Sequence, residues 1–170
     1  MHWRRAGVIG GLIAGVVTTT VMIGGRRSGL LGKTLDRDAV DWIDERTGSR
    51  DVIGDAGTSV VEFVNHLAAS AVFGFGYTLL RQAVPRASPW QLGAGYGAAL
   101  YVVNIAGVAP VLGITEGERR AGVRKAAERL VLHILQSVCT GLVAERLAGA
   151  GDHRGPEPAG RDSGASDREA

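Results

Sequence analysis

Residues 6–25 read AGVIGGLIAGVVTTTVMIGG, twenty positions without one Asp, Glu, Lys or Arg, bracketed by Arg4-Arg5 and Arg26-Arg27. Twenty apolar residues as a helix match a hydrocarbon core roughly 30 Å thick, and arginine collars suit the two headgroup layers. Gly7, Gly11 and Gly15 recur every four residues and so share one helix face. Such a small-xxx-small stripe lets a second backbone approach closely, which is how helices associate where lipid removes the usual hydrophobic drive. The stretch predicts a membrane-spanning helix with a packing face. It is longer than the apolar core of a signal peptide and no A-x-A site follows, so it is read as a retained first helix.

Three further windows, 67–80, 92–112 and 130–144, are equally free of charge. A soluble domain gives each element a wet face, so it spreads its charges along the chain. Here all 36 charged residues lie outside the four windows, although the mean hydropathy is only +0.10. The fold class predicted is therefore an all-α polytopic membrane protein, with four transmembrane helices at about 6–25, 60–80, 89–112 and 126–147 in two hairpins. A soluble enzyme fold is excluded. The 19 basic and 17 acidic residues are too balanced to point to nucleic acid as a partner. The single Cys139 permits neither an intrachain disulfide nor a CxxC site.

Capping signals place the helix starts. Ser59-Val60-Val61-Glu62, Ser88-Pro89-Trp90-Gln91 and Thr115-Glu116-Gly117-Glu118 each carry Ser or Thr three residues before Glu or Gln, the capping-box pattern. The segment 26–58 is polar, with six basic and seven acidic side chains. Within it Leu35, Ala39, Trp42 and Ile43 share one helical face and Thr34 is a suitable N-cap. This predicts a short surface helix, either lying on the bilayer with Trp42 at headgroup level or docked on the bundle. Residues 150–170 hold no apolar residue larger than Ala and are expected to be a disordered tail. Lys and Arg number eleven on the loops after helix 1 and before helix 4, against eight on the opposite side, which leans towards those loops being cytoplasmic.

The chain resembles the YagU-like family of small uncharacterised bacterial inner-membrane proteins. The likeness rests on Gly11-Leu-Ile-Ala-Gly-Val-Val17, His66-Leu-Ala-Ala-Ser-Ala-Val-Phe-Gly-Phe-Gly-Tyr77, Pro85, Trp90-Gln91, Gly93, Gly95, Pro110, Gly113 and an acidic residue ahead of His133. The resemblance implies four helices in the bacterial inner membrane with cytoplasmic termini, the opposite orientation to the charge count. It implies no reaction, and the acidic loop after helix 1 is leaner than the family's.

Polar side chains inside spans cost free energy and need a reason. The candidate intramembrane site comprises Glu62, His66, Asn104, His133 and Gln136. Glu62 and His66 are four apart on one face, and His66 facing His133 could relay protons or ligate a metal or haem. The plainer reading is that these side chains hydrogen-bond between helices, at about 0.6 kcal/mol each. His66, Ser70, Gly74 and His133, Ser137, Gly141 repeat the same spacing, an internal echo between helices 2 and 4. Gly93, Gly97, Ser137 and Gly141 join Gly7, Gly11 and Gly15 as expected packing positions. Gly29-Leu-Leu-Gly-Lys-Thr34 lacks the first glycine and the preceding strand of a phosphate loop, since position 27 is Arg27. The expected role is structural or interactive, with lipid and another copy or another membrane protein as partners, no cofactor and no enzyme activity. The alternatives are a small transporter or proton path, and bis-His haem or metal binding.

Overall fold

The computed structural model describes residues 2–152, apart from the side chains of Arg119, Gly151 and Asp152. It contains α1 (Trp3–Arg27), α2 (Leu35–Thr47), α3 (Ser49–Ala83) and α4 (Pro89–Leu100). A π-helical segment, Tyr101–Val108, continues α4 into α5 (Ala109–Val111); α6 (Glu118–Ala121) and α7 (Val123–Asp152) follow. The described residues are helical with no strand. Four helical rods are long and apolar enough to cross a membrane: Trp3–Arg27, Ser49–Ala83, Pro89–Val111 and Val123–Ala150.

Polarity is inverted relative to a water-soluble bundle. Ile9, Ile13, Val16 and Val17 of α1, Val64, Val72 and Phe75 of α3, Val102 and Val103 of the π segment and Val131 of α7 all face outward. Thr18, Ser70, Thr78, Gln136, Ser137 and Thr140 are buried. Several of these hydroxyls are satisfied within their own helix: Thr18 donates to the Ala14 carbonyl at 2.7 Å, Ser70 to His66 at 2.7 Å and Thr140 to Gln136 at 2.8 Å. An outward apolar surface with polar groups inside is what hydrocarbon selects.

α1 is the middle helix, packed on both α3 and α7. Gly7 and Gly11 meet Gly74, and Gly11 and Gly15 meet Ser70, so α1 and α3 run antiparallel with their backbones touching. A Cβ on Gly11 would stand 3.0 Å from the Gly74 Cα and closer still to the Ser70 carbonyl oxygen. A second stripe on α1, also of period four, faces α7: Gly10 lies against Thr140 and Ala144, and Ala6 is buried with Ala144 and Ala148. Gly93 and Gly97 of α4 lie against Val138 and Ile134 of α7, where a Cβ would come within 2.7 Å of each Cα. Gly141 receives the ring of the fully buried Tyr77, with its hydroxyl 2.6 Å from where a Cβ would sit.

Two of the three expected capping boxes are absent. The Ser88 box forms, with the Gln91 amide donating to Ser88 Oγ at 3.2 Å, the Ser88 amide to Gln91 Oε1 at 3.4 Å and Pro89 opening the helix. Ser59 lies inside α3, because Gly54 (φ 68°) joins two helical stretches and starts the rod earlier than residue 60. Its hydroxyl donates instead to the Asp55 carbonyl at 3.0 Å. Thr115 caps no helix by its side chain; α6 opens at Gly117 and α7 follows a second break at Gly122. α7 runs to Asp152, past the expected end near 147, and the remainder of the expected tail lies outside the described residues.

α2 packs on the bundle largely through the expected face: Leu35 and Ala39 line the cavity beneath it and contacts run to α3. Val40 is buried and Ile43 is exposed. Trp42 is half-buried, with Arg46 stacked 3.9 Å over its ring. Asp36 and Asp38 of the same helix pair with His66 and Arg129 on the bundle.

Candidate functional site

His66, Asn104, Arg129, His133 and Gln136 gather at one end of the bundle. Thr34 begins α2 without a side-chain cap and instead donates to Glu62 Oε1 at 3.5 Å. From the first turn of α2, Asp36 Oδ2 lies 2.9 Å from His66 Nδ1 of α3. Two residues on, Asp38 Oδ2 accepts from Arg129 Nη2 of α7 at 3.0 Å. Arg129 has only 7% of its side chain exposed, and its other terminal nitrogen donates to Glu118. The second oxygen of Glu118 accepts from the Tyr101 hydroxyl at 2.8 Å. Three elements separated in sequence are thereby pinned by one buried guanidinium. Taking such a cation out of water costs several kcal/mol unless it is paired, and two carboxylates supply the pairing.

An outer layer of ion pairs holds α2 in place. Lys33 Nζ lies 3.0 Å from Asp38 and 2.8 Å from Asp41, and Arg37 reaches Asp41 at 3.4 Å and Glu62 at 3.6 Å. Glu62 also pairs with Arg26 at 3.6 Å. The hydrogen bond to Asp41 raises the Lys33 ammonium pKa above its usual range, and the same bond holds the Asp41 carboxyl below its own. The linker before α2 is tied to α7: Arg124 donates to the Leu30 carbonyl at 3.2 Å, and Glu128 accepts from the Gly32 amide at 3.4 Å.

Beneath α2 lies a cavity of about 250 Å³. Its wall is mostly apolar, from Met22, Leu35, Phe73, Val108 and Leu132 among others, with His66, Asn104, Arg129, His133 and Gln136 set into it. A more open second cavity of about 660 Å³ lies between α1 and α3, lined in part by Arg26, Arg27 and Glu62. Met22, Asp36 and His66 line both, so the Asp36–His66 pair stands where the two cavities meet. No family model, curated protein or solved structure matches this chain.

Of the five site candidates read from sequence, four line the smaller cavity and Glu62 lines its neighbour. Gln136 donates to Ser70 Oγ at 2.8 Å, an interhelical bond between α7 and α3. The imidazoles take separate partners: His66 has Asp36, while His133 Nδ1 lies 2.9 Å from the Arg129 carbonyl and its ring stands edge-on to Tyr101 at 6.2 Å. No group of three or more metal-ligating side chains occurs among the described residues. The echoed triplets occupy different settings, since Gly74 faces α1 backbone and Gly141 faces the Tyr77 ring.

Sequence reasoning missed Asp36, Asp38, Arg129, Glu118 and Tyr101. Arg129 carried a signal: it adjoins the last charge-free window, a position where an arginine needs a counter-charge. The π segment was also missed. There the Ala109 amide donates to the Asn104 carbonyl five residues back. Pro110 follows directly, has no amide hydrogen, and its ring would crowd the carbonyl four residues earlier in α geometry. Widening by one residue relieves this, and such bulges recur at functional sites.

Proposed function

We propose that this chain is a multi-pass protein of the bacterial inner membrane, folded as two helical hairpins related to the YagU-like proteins, whose role is to bind rather than to catalyse or conduct. The observation that carries this reading is the one-sided placement of the cavity. It opens under α2, while the opposite half of the bundle is filled by Gly7, Gly10 and Gly11 in backbone contact with α3 and α7. At that far end Tyr77 is fully buried, and Arg81 pairs with Glu145 at 3.1 Å. A conduit needs polar groups along its whole length, whereas a binding site needs one mouth. The loops over the mouth carry the eleven Lys and Arg, so the charge count leans towards a cytoplasmic mouth, whereas the likeness to the YagU-like proteins implies the opposite orientation.

A second reading, a proton path, is favoured by the Asp36–His66 pair at the junction of the two cavities. Protein reconstituted in liposomes separates the two. Binding predicts dissipation of an imposed pH gradient no faster than in protein-free liposomes. Faster dissipation, lost in the His66→Ala, His133→Ala double variant, would replace binding with proton transfer. Bis-His haem ligation is disfavoured by size, because even drug-sized ligands occupy pockets of roughly 300 Å³ or more and the shared cavity holds about 250 Å³.

A further inference from the structure

The cavity wall leaves nitrogen atoms without partners. His66 Nε2, Asn104 Nδ2 and Arg129 Nε are each buried and make no hydrogen bond, and all three side chains line the same cavity. His66 and Arg129 are themselves nine-tenths buried. Leaving one buried polar group unsatisfied costs about 1–3 kcal/mol, so three around one small space point to something that supplies acceptors. Several acceptors in the wall are already engaged: Asp36 Oδ2 by His66, Glu128 by Arg124 at 2.9 Å, and the Ser70 hydroxyl by Gln136, which donates to it. The vacancy is therefore for oxygen, with an apolar body to lie along Phe73, Val108 and Leu132.

We propose that this cavity binds a short-chain monocarboxylate, its carboxylate oxygens facing His66, Asn104 and Arg129 and its alkyl chain among the apolar residues. The inference rests on the binding reading above and names its ligand class. A volume of about 250 Å³ equals roughly eight waters at about 30 Å³ each, which suits an acid of some eight heavy atoms such as hexanoate. When the neutral acid enters, its O–H proton passes to His66 Nε2. This leaves a carboxylate and an imidazolium, and the imidazolium is flanked on its other side by Asp36. Arg129 and Asn104 donate their existing hydrogens. A cation would instead meet three nitrogen atoms, one of them on the Arg129 guanidinium.

Isothermal titration of the purified full chain in detergent, with hexanoate, hexan-1-ol, hexylamine and acetate as probes, tests this. Saturable binding of hexanoate is expected, at least tenfold tighter than each of the others. Asn104→Ala weakens hexanoate at least tenfold. Asn104→Asp, which keeps the shape and adds a negative charge, abolishes it, while exposed Val102→Ala leaves it unchanged. Equal binding of hexanoate and hexan-1-ol, tighter binding of hexylamine, or unaltered affinity in both Asn104 variants would overturn the proposal, with ordered water then the cavity's only occupant. A cysteine at cavity-lining Ala69, in a Cys139→Ala background, separates the two levels. Labelling by a small thiol reagent that hexanoate fails to block would overturn the ligand class alone. No labelling from either side of a liposome would remove the binding site itself.

Discussion

Replacing Gly11 with alanine should unpack the bundle more than any change of its size on the outer surface. The new methyl carbon would sit 3.0 Å from the Gly74 Cα and the Ser70 carbonyl carbon, and closer to the Ser70 oxygen. Carbon atoms rest at about 3.5–4.0 Å, so α1 and α3 must separate by at least ~0.5 Å along a contact made of backbone, which cannot swing aside. Overpacking of this kind costs about 1–3 kcal/mol. On the scaling of soluble chains of this length, that lowers the thermal midpoint by roughly 2–12 °C. Gly95→Ala is the matched control. It lies on α4, is exposed, and has no atom within 4 Å of a new Cβ. There alanine should stabilise by about 0.5–1 kcal/mol through lower backbone entropy in the unfolded chain. Thermal unfolding of both variants in one detergent, followed by circular dichroism, reads the contrast. A Gly11→Ala protein melting at or above the wild-type midpoint would refute the claim that α1 and α3 touch backbone to backbone.

Arg129→Ala leaves Glu118 with only the Tyr101 hydroxyl and Asp38 with only the half-exposed Lys33, and should cost up to about 3–5 kcal/mol, measured as a shift in the chaotrope midpoint in detergent. The Lys33–Asp41 pair makes α2 docking pH-dependent at both extremes. The Asp41 carboxyl is depressed, so its contribution is present above the ordinary 3.8 and is lost as pH falls through a still lower value. The Lys33 ammonium is raised, so its share is present below 10.5 and is lost as pH climbs beyond that. Both groups are partly exposed and the pair is worth under about 1 kcal/mol. Limited proteolysis within α2 should accordingly stay flat from about pH 5 to 9, and Asp41→Asn should reduce the rise at the acid end. Ser88→Ala removes a formed capping box and should cost about 0.5–2 kcal/mol, whereas Ser59→Ala, inside a helix, should leave the melting midpoint within error.

Charge exclusion and helix capping were legible to different depths in the sequence. The four rods were plain because hydrocarbon forbids charge over some twenty residues, a constraint written locally. Gly7, Gly11, Gly15, Gly93 and Gly97 were legible for a related reason, since a four-residue repeat fixes a shared face. The companion stripe of Ala6, Gly10 and Ala14 has the same period and was overlooked because only glycines were counted. The apolar face of α2 was legible in Leu35, Ala39 and Trp42, whereas Asp36 and Asp38 meet His66 and Arg129, partners 30 and 91 residues away. Long-range pairing of this kind leaves no periodicity. Ser59 and Thr115 matched the capping pattern, yet Gly54 and Gly122 moved the helix starts away from both. His66, Asn104, His133 and Gln136 could be picked out as polar residues in apolar runs, although nothing local announces the cavity that gathers them from α3, the π segment and α7.

The central claim is that lipid hydrocarbon surrounds the four rods. Expressing the full chain in bacteria, washing the membranes with alkaline carbonate and sedimenting them tests it most directly. Recovery in the pellet, with release only by detergent, is the result predicted. A folded, monodisperse protein in the carbonate supernatant would contradict it.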